Sequence, residues 1–138
     1  VATESIKKIL VVDDEEDIRE ILCEILVEAY HPEIKQAGNG QEAMHLLSSE
    51  KFDAIFCDYR MPVMSGKEFL DKANEVGSLT PFIFVTGFPD EETFLETLRG
   101  GAFGFIEKPF KKEEIITALD NAVRLTKERT ETPLPPET

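Results

Sequence analysis

The sequence predicts an open, doubly wound α/β fold: five parallel strands in the order 2-1-3-4-5, with five helices on the two faces of the sheet. Three observations carry this expectation. Short apolar runs rich in Val, Ile and Phe alternate with amphipathic stretches along the whole chain. The runs are apolar at nearly every position, as strands covered on both faces must be, which argues for a parallel sheet. The connections are short, and right-handed crossovers then leave the doubly wound arrangement as the main solution.

The elements follow in order. Ile6–Val12 is the first strand. Ile18, Ile21, Leu22, Ile25, Leu26 and Ala29 recur at 3, 1, 3, 1, 3 spacing, one face of a helix that Tyr30-His31-Pro32 ends. Asp14, Glu15, Glu16 and Asp17 crowd the start of that helix, where negative charge suits the macrodipole. Glu33–Ala37 is a short second strand, Gly38-Asn39-Gly40 a turn, and Gln41–Ser49 a helix burying Ala43, Leu46 and Leu47. Phe52–Asp58 is the third strand; Ser65-Gly66 opens a helix over Lys67–Glu75 that buries Phe69, Leu70 and Ala73, and Gly77 stops it. Pro81–Val85 is the fourth strand, and Asp90 caps a helix to Leu98 that Gly100-Gly101 closes. Phe103–Ile106 is a fifth strand, and Lys111–Lys127 a last helix with Ile115, Leu119, Ala122 and Val123 inward.

At 138 residues the chain has the length of one domain, read as residues 1–128, and 129–138 are polar and proline-rich, the composition of a disordered tail or linker stump. A chain that is 41% hydrophobic and 31% charged is ordinary for a soluble globular protein. No apolar run approaches the roughly 20 residues that a membrane span needs. The first residues, VATESIKKIL, lack signal-peptide architecture. Cys23 and Cys57 sit in apolar settings and read as small hydrophobes of a reducing compartment, so a cytoplasmic location and no membrane partner are expected. A net charge of −13 disfavours direct nucleic acid binding.

The run CDYRMPVMSG, residues 57–66, ends a buried strand on a single carboxylate, Asp58, just before a loop. Strand ends elsewhere deliver comparable groups: Asp13-Asp14 after the first, Thr86 after the fourth, Glu107-Lys108-Pro109 after the fifth. In open α/β sheets the ligand crevice lies outside those carboxyl ends, where the strand order reverses. Three carboxylates a few ångströms apart cannot all stay ionised without a cation, and an all-oxygen set suits Mg²⁺. A metal beside one ammonium and one hydroxyl is a set of groups for holding a phosphoryl group, with Asp58 as candidate nucleophile. Taken singly, Asp13 and Asp14 read as helix N-caps, Lys108 as a surface lysine and Thr86 as a strand terminator. Met61 and Met64 read as packing residues of the loop, and His31 and His45 as surface residues. Phe105 reads as partly core, and Phe103 and Phe110 as candidates for a partner surface.

Asp13-Asp14, CDYRMPVMSG, VTG at 85–87 and IEKPF at 106–110 together resemble the receiver domain of bacterial two-component response regulators, over about residues 6–127. The resemblance implies a flavodoxin-like fold and a set of roles. Asp58 is the phosphoacceptor; Asp13, Asp14, Asp58 and the main-chain carbonyl of Arg60 are the Mg²⁺ ligands, Asp13 largely through metal-bound water. Thr86 hydrogen-bonds the phosphoryl group, Lys108 pairs with it, Phe105 is the aromatic switch, and Pro109 follows a cis bond. The donor is a phosphohistidine on a histidine kinase or phosphotransfer protein, and the responding surface is helix four, strand five and helix five, roughly Asp90–Lys127, the site of partner docking or homodimerisation. The domain handles its own phosphorylation and hydrolysis without being a turnover enzyme. Arg60 and Phe88 depart from the commonest pattern beside the path of the attacking water, which implies an altered dephosphorylation rate.

Three other functions fit an α/β sheet with acids at its rim. An aspartate-based phosphatase of another fold wants Asp-x-Asp at the first strand, where this chain has Glu15. A flavin carrier wants a glycine- and hydroxyl-rich loop after that strand, and DDEED is the reverse in charge. A degenerate receiver used only for docking would not need all five active positions filled.

Overall fold

The computed structural model describes residues 6–87 and 90–131. Its elements run β1 (Lys8–Val12), α1 (Glu16–Tyr30), β2 (Glu33–Ala37), α2 (Gly40–Ser49), β3 (Ala54–Cys57), α3 (Gly66–Glu75), β4 (Phe82–Thr86), α4 (Glu91–Arg99), β5 (Gly104–Glu107) and α5 (Lys112–Glu131). All strand pairs are parallel and the order is β2-β1-β3-β4-β5, as expected.

Strand periodicity divides the core in two. Ile9, Val11, Ala54, Phe56, Ile83, Val85 and Ile106 face one side, where Leu22, Leu26 and Tyr30 of α1 and Ile115, Leu119 and Ala122 of α5 cover them. Leu10, Val12, Ile55, Cys57, Phe82 and Phe84 face the other, under Ala43 of α2 and Phe69, Leu70 and Ala73 of α3. Each buried large side chain, Phe56, Phe69 and Phe84 among them, stabilises the fold by about 1.5–3 kcal/mol relative to exposure. Tyr30 also ties α1 to α5, its hydroxyl donating to Asp120 at 2.8 Å and to the Ile116 carbonyl at 3.0 Å.

Several boundaries differ from the sequence expectation, each for a local reason. β1 begins at Lys8, not Ile6, because the Asp53 carboxylate accepts the N–H groups of Lys7 and Lys8 at 2.7 and 3.0 Å and takes over from the ladder there. β3 spans Ala54–Cys57 instead of 52–58: Asp53 has its carboxylate on those N–H groups at one end, and Asp58 keeps a single ladder bond, to the Val12 carbonyl, at the other. β4 starts after Pro81, which has no N–H to give, and both β4 and β5 run one residue further than expected. Ile21 is exposed: the inward stripe of α1 is Leu22, Leu26 and Tyr30, spaced by four, and Ile21 lies about 100° off it. Leu46 and Leu47 are only half-buried. α2 begins at Gly40 with Asn39 as cap, so the turn glycine is already helical. α5 continues past Lys127 and past 129 to Glu131, and residues 132–138 of the expected tail lie outside the described residues. No described helix is long and apolar enough to cross a membrane.

Gly66 is the tightest point. A Cβ there would stand 2.2 Å from the Asp58 carbonyl oxygen and 2.7 Å from the Phe84 ring, so the backbone of α3 can close on the end of β3 only without a side chain. Gly66→Ala is expected to destabilise the domain by roughly 1–3 kcal/mol, read as a lowered urea midpoint at unchanged slope.

Candidate functional site

Hydrogen bonding between strands carries the rim residues into place. Val12 pairs with Cys57 and Thr86 with Glu107. The ladder then runs one step beyond the strands: Asp58 N–H donates to the Val12 carbonyl at 2.9 Å, Lys108 N–H to the Thr86 carbonyl at 2.8 Å, and Asp13 N–H to the Ala37 carbonyl at 3.1 Å. Asp13, Asp58 and Lys108 therefore keep the parity of Val11, Phe56 and Ile106 and converge on one side of the rim. Thr86 keeps the parity of Phe84 and is fully buried.

The geometry is that of a shared cation. Lys108 Nζ donates to Asp13 Oδ2 at 2.8 Å and to Asp58 Oδ2 at 3.3 Å, with Glu15 Oε2 at 4.0 Å. The other oxygen of Asp13 accepts the Glu15 N–H at 2.9 Å, so this acid serves the start of α1 as well as the site. Asp13 and Asp58 are 1% and 7% exposed, whereas Asp14 is exposed. One carboxylate oxygen from each of the three acids lies within 4.8 Å of the others. Three carboxylates against one ammonium leave the rim short of positive charge.

The acids register that shortage. Burial first, and the neighbouring Asp13 charge second, push the Asp58 carboxyl up to about 6. Burial also raises Asp13, against its bonds to Lys108 and Glu15. For Lys108 burial opposes the charge, but the bond to Asp13 and the charges of both acids outweigh it and hold the ammonium above its ordinary value.

The loop after Asp58 is pinned at several points. Gly66 N–H donates to the Tyr59 carbonyl at 2.9 Å, and the Met64 carbonyl accepts the Gly40 N–H at 3.1 Å, tying the loop to the start of α2. Met64 N–H reaches back to the Pro62 carbonyl at 2.8 Å around Val63, whose φ of 71° makes this a γ-turn of the strained hand. A β-branched residue in that region is an outlier, of the kind that clusters at functional loops. Ser65 closes the loop with a capping box to Glu68.

Other expected site residues are placed as follows. Arg60 sits in this loop with its guanidinium 3.8 Å from the carboxylate of Asp90, the N-cap of α4. Phe105 is half-buried and meets Phe94 edge-on, 5.6 Å between centroids. The Lys108–Pro109 bond is cis. Met61 and Met64 pack against the core, as do Phe103 and Phe110, while His31 and His45 are exposed. Phe88 lies outside the described residues. Unforeseen was Tyr59, whose hydroxyl donates to Glu96 of α4 at 2.5 Å; no local pattern signals a contact between residues 37 apart. Away from these groups, a cleft of about 620 Å³ opens at the opposite rim between Leu47, Phe52, Leu79 and Val123. Both of its acids are already engaged, Asp53 by two backbone N–H groups and Glu50 by Lys8.

Residues 9–120 match the family model of the response regulator receiver domain. The chain is 34% identical over 122 residues to the regulatory protein AtoC of Escherichia coli K12, covering 88% of this chain but only 26% of AtoC. Among solved structures, a CheY-like receiver domain protein from Methanospirillum hungatei aligns with a TM-score of 0.82 at 28% identity, over 90% of this chain and 98% of that one. Vibrio cholerae CheY4 aligns with a TM-score of 0.79 at 32% identity, over 85% and 98%.

Metal-free wild type should gain stability as pH falls through about 6, because folded Asp58 takes up its proton there while the unfolded carboxyl waits for pH near 3.8. Asp58→Asn removes the charge outright. In a chelator at pH 7.5 it is expected to be more stable than wild type by about 1–3 kcal/mol, an advantage that shrinks as pH drops below 6. Urea unfolding of both proteins across pH 5–8 checks the sign.

Proposed function

The chain belongs to the response regulator receiver domain family, and from that membership we propose that it is a phosphorylation-controlled signalling switch whose phosphoacceptor is Asp58. The observation that carries this reading is the Lys108 ammonium standing between the buried carboxylates of Asp13 and Asp58. The donor is a phosphohistidine on a partner histidine kinase or phosphotransfer protein.

A divalent cation fits the rim. The acids outnumber the ammonium, their ligand atoms are all oxygen, and two of them have carboxyls pushed upward for want of positive charge. Asp13, Asp14, Asp58 and the main-chain carbonyl of Arg60 would hold Mg²⁺, which when bound would supply positive charge to offset the acids and the phosphoryl oxygens. The carboxylate oxygen of Asp58 attacks phosphorus; the O–P bond forms as the P–N bond breaks, and its electron pair returns to an imidazole that leaves neutral when its other nitrogen carries a proton. Lys108 keeps its charge near the new phosphoryl oxygens. The Thr86 hydroxyl, at the end of the adjacent strand, donates to one of them, and Phe105 turns inward behind it.

The responding surface is α4, β5 and α5. Its apolar part is already exposed in Phe94, Leu95 and Leu98 of α4, which suits partner docking or homodimerisation. An excess of 28 acidic over 15 basic residues argues against direct nucleic acid contact by this domain. The chain's chemistry is confined to gain and loss of a phosphoryl group at Asp58.

Incubation with acetyl phosphate and Mg²⁺ should add one phosphoryl group to wild type, seen by intact mass, and none to Asp58→Asn or to wild type in chelator. Wild type left unmodified with Mg²⁺ present would contradict the reading. On the same assay Arg60→Asn should change the rate at which the phosphoryl group is lost, since residue 60 lies two positions after the phosphoacceptor and supplies a proposed Mg²⁺ ligand from its main chain.

A further inference from the structure

α4 is built the wrong way round for a helix held by hydrophobic burial. Its buried residues are two threonines, Thr93 and Thr97, while Phe94, Leu95 and Leu98 are exposed. With little apolar area removed from water, polar ties must do more of the holding.

Those ties lead back to the segment that bears Asp58. Tyr59 donates its hydroxyl to Glu96 Oε2 at 2.5 Å in the middle of α4. Arg60 places its guanidinium 3.8 Å from Asp90 Oδ2 at the helix start. The Tyr59 ring is itself fixed, edge-on to Phe84 of β4 with centroids 5.7 Å apart, so its hydroxyl is aimed by the core. Burial, and then the bond to Glu96, hold that hydroxyl above the usual tyrosine range, which keeps it a donor. At the far end, Asn74 of α3 donates to the Gly100 carbonyl at 2.8 Å. That tie does not involve the site.

We propose that Tyr59 through Glu96, and Arg60 through Asp90, strap α4 directly to the phosphoacceptor segment, giving the site a line to α4 separate from Thr86 and Phe105. The consequence for signalling rests on the reading of Asp58 given above; the strap itself does not. A phosphoryl group on Asp58 carries about −1.5 to −2 charges, a net gain of roughly one over the carboxylate it replaces, two residues before Arg60 in the chain, and would compete with Asp90 for the guanidinium. Phosphorylation then loosens the N-terminal strap, and by linkage a protein without straps sits closer to the activated arrangement.

Amide hydrogen exchange over residues 91–99 tests this in two arms. Without any phosphodonor, Tyr59→Phe keeps the ring on Phe84 but loses the hydroxyl, and should speed exchange in α4 about five- to tenfold. Glu96→Gln keeps an acceptor and should stay within about twofold of wild type. Asp90→Asn keeps the helix cap and loses the ion pair, giving a smaller increase confined to the first turn. Unchanged exchange in both Tyr59→Phe and Asp90→Asn overturns the strap, whatever Asp58 does. In the second arm, wild type with Mg²⁺ and beryllium fluoride, a mimic of the acyl phosphate, should show faster exchange at the start of α4. Slower exchange there overturns the release. A failure to take up beryllium fluoride at all, seen by fluorine NMR, would instead count against Asp58 as phosphoacceptor and leave the first arm to judge the strap.

Discussion

The ammonium of Lys108, lodged between Asp13 and Asp58, is the contact on which the site depends. Two carboxylates this buried would be untenable side by side without it, since each must surrender its hydration and each repels the other. Yet one cation does not suffice. Asp58 remains displaced upward and Asp14 stands nearby with a further charge, so the rim is organised but under-neutralised. A site in that condition has charge to spare for a divalent cation, which is the basis of the phosphoryl transfer proposed for Asp58. The fold produces the condition by extending the β1–β2, β1–β3 and β4–β5 ladders by one residue beyond their last regular pair.

Much of this was legible in the amino-acid sequence. Parallel strands buried on both faces leave a strong apolar signal, and the rule that ligands bind at the carboxyl ends of such strands places Asp13, Asp58, Thr86 and Lys108 on one rim before any coordinates are known. What was not legible depended on partners distant in the chain. The start of β1 is set by Asp53, far along the sequence, and the exposure of Ile21 by which stripe of α1 docks rather than by its apolar character. The inverted face of α4 could not be read from periodicity, because apolar residues at helical spacing are ordinarily inward. Tyr59 carried no signal at all, as an aromatic residue after an acid has no local reason to reach another helix.

The two faces of the sheet are unequal in a way that suits a switch. α1 and α5 lie over a continuous apolar layer and are linked by the Tyr30 hydroxyl, a rigid base. α4 has few such contacts and is held by hydrogen bonds and an exposed ion pair, interactions individually worth about 0–3 kcal/mol. Elements of that kind are the ones a small electrostatic change can move. The exposed Phe94, Leu95 and Leu98 thus sit on a helix held mainly by such polar ties.

Carbon-13 NMR titration of the side-chain carboxyl of Asp58 measures the central interaction most directly. In chelator the account predicts a midpoint near 6, falling well below that when Mg²⁺ is added and rising when Lys108 is replaced by Met. A midpoint near 4 that responds neither to the metal nor to Lys108→Met would contradict it.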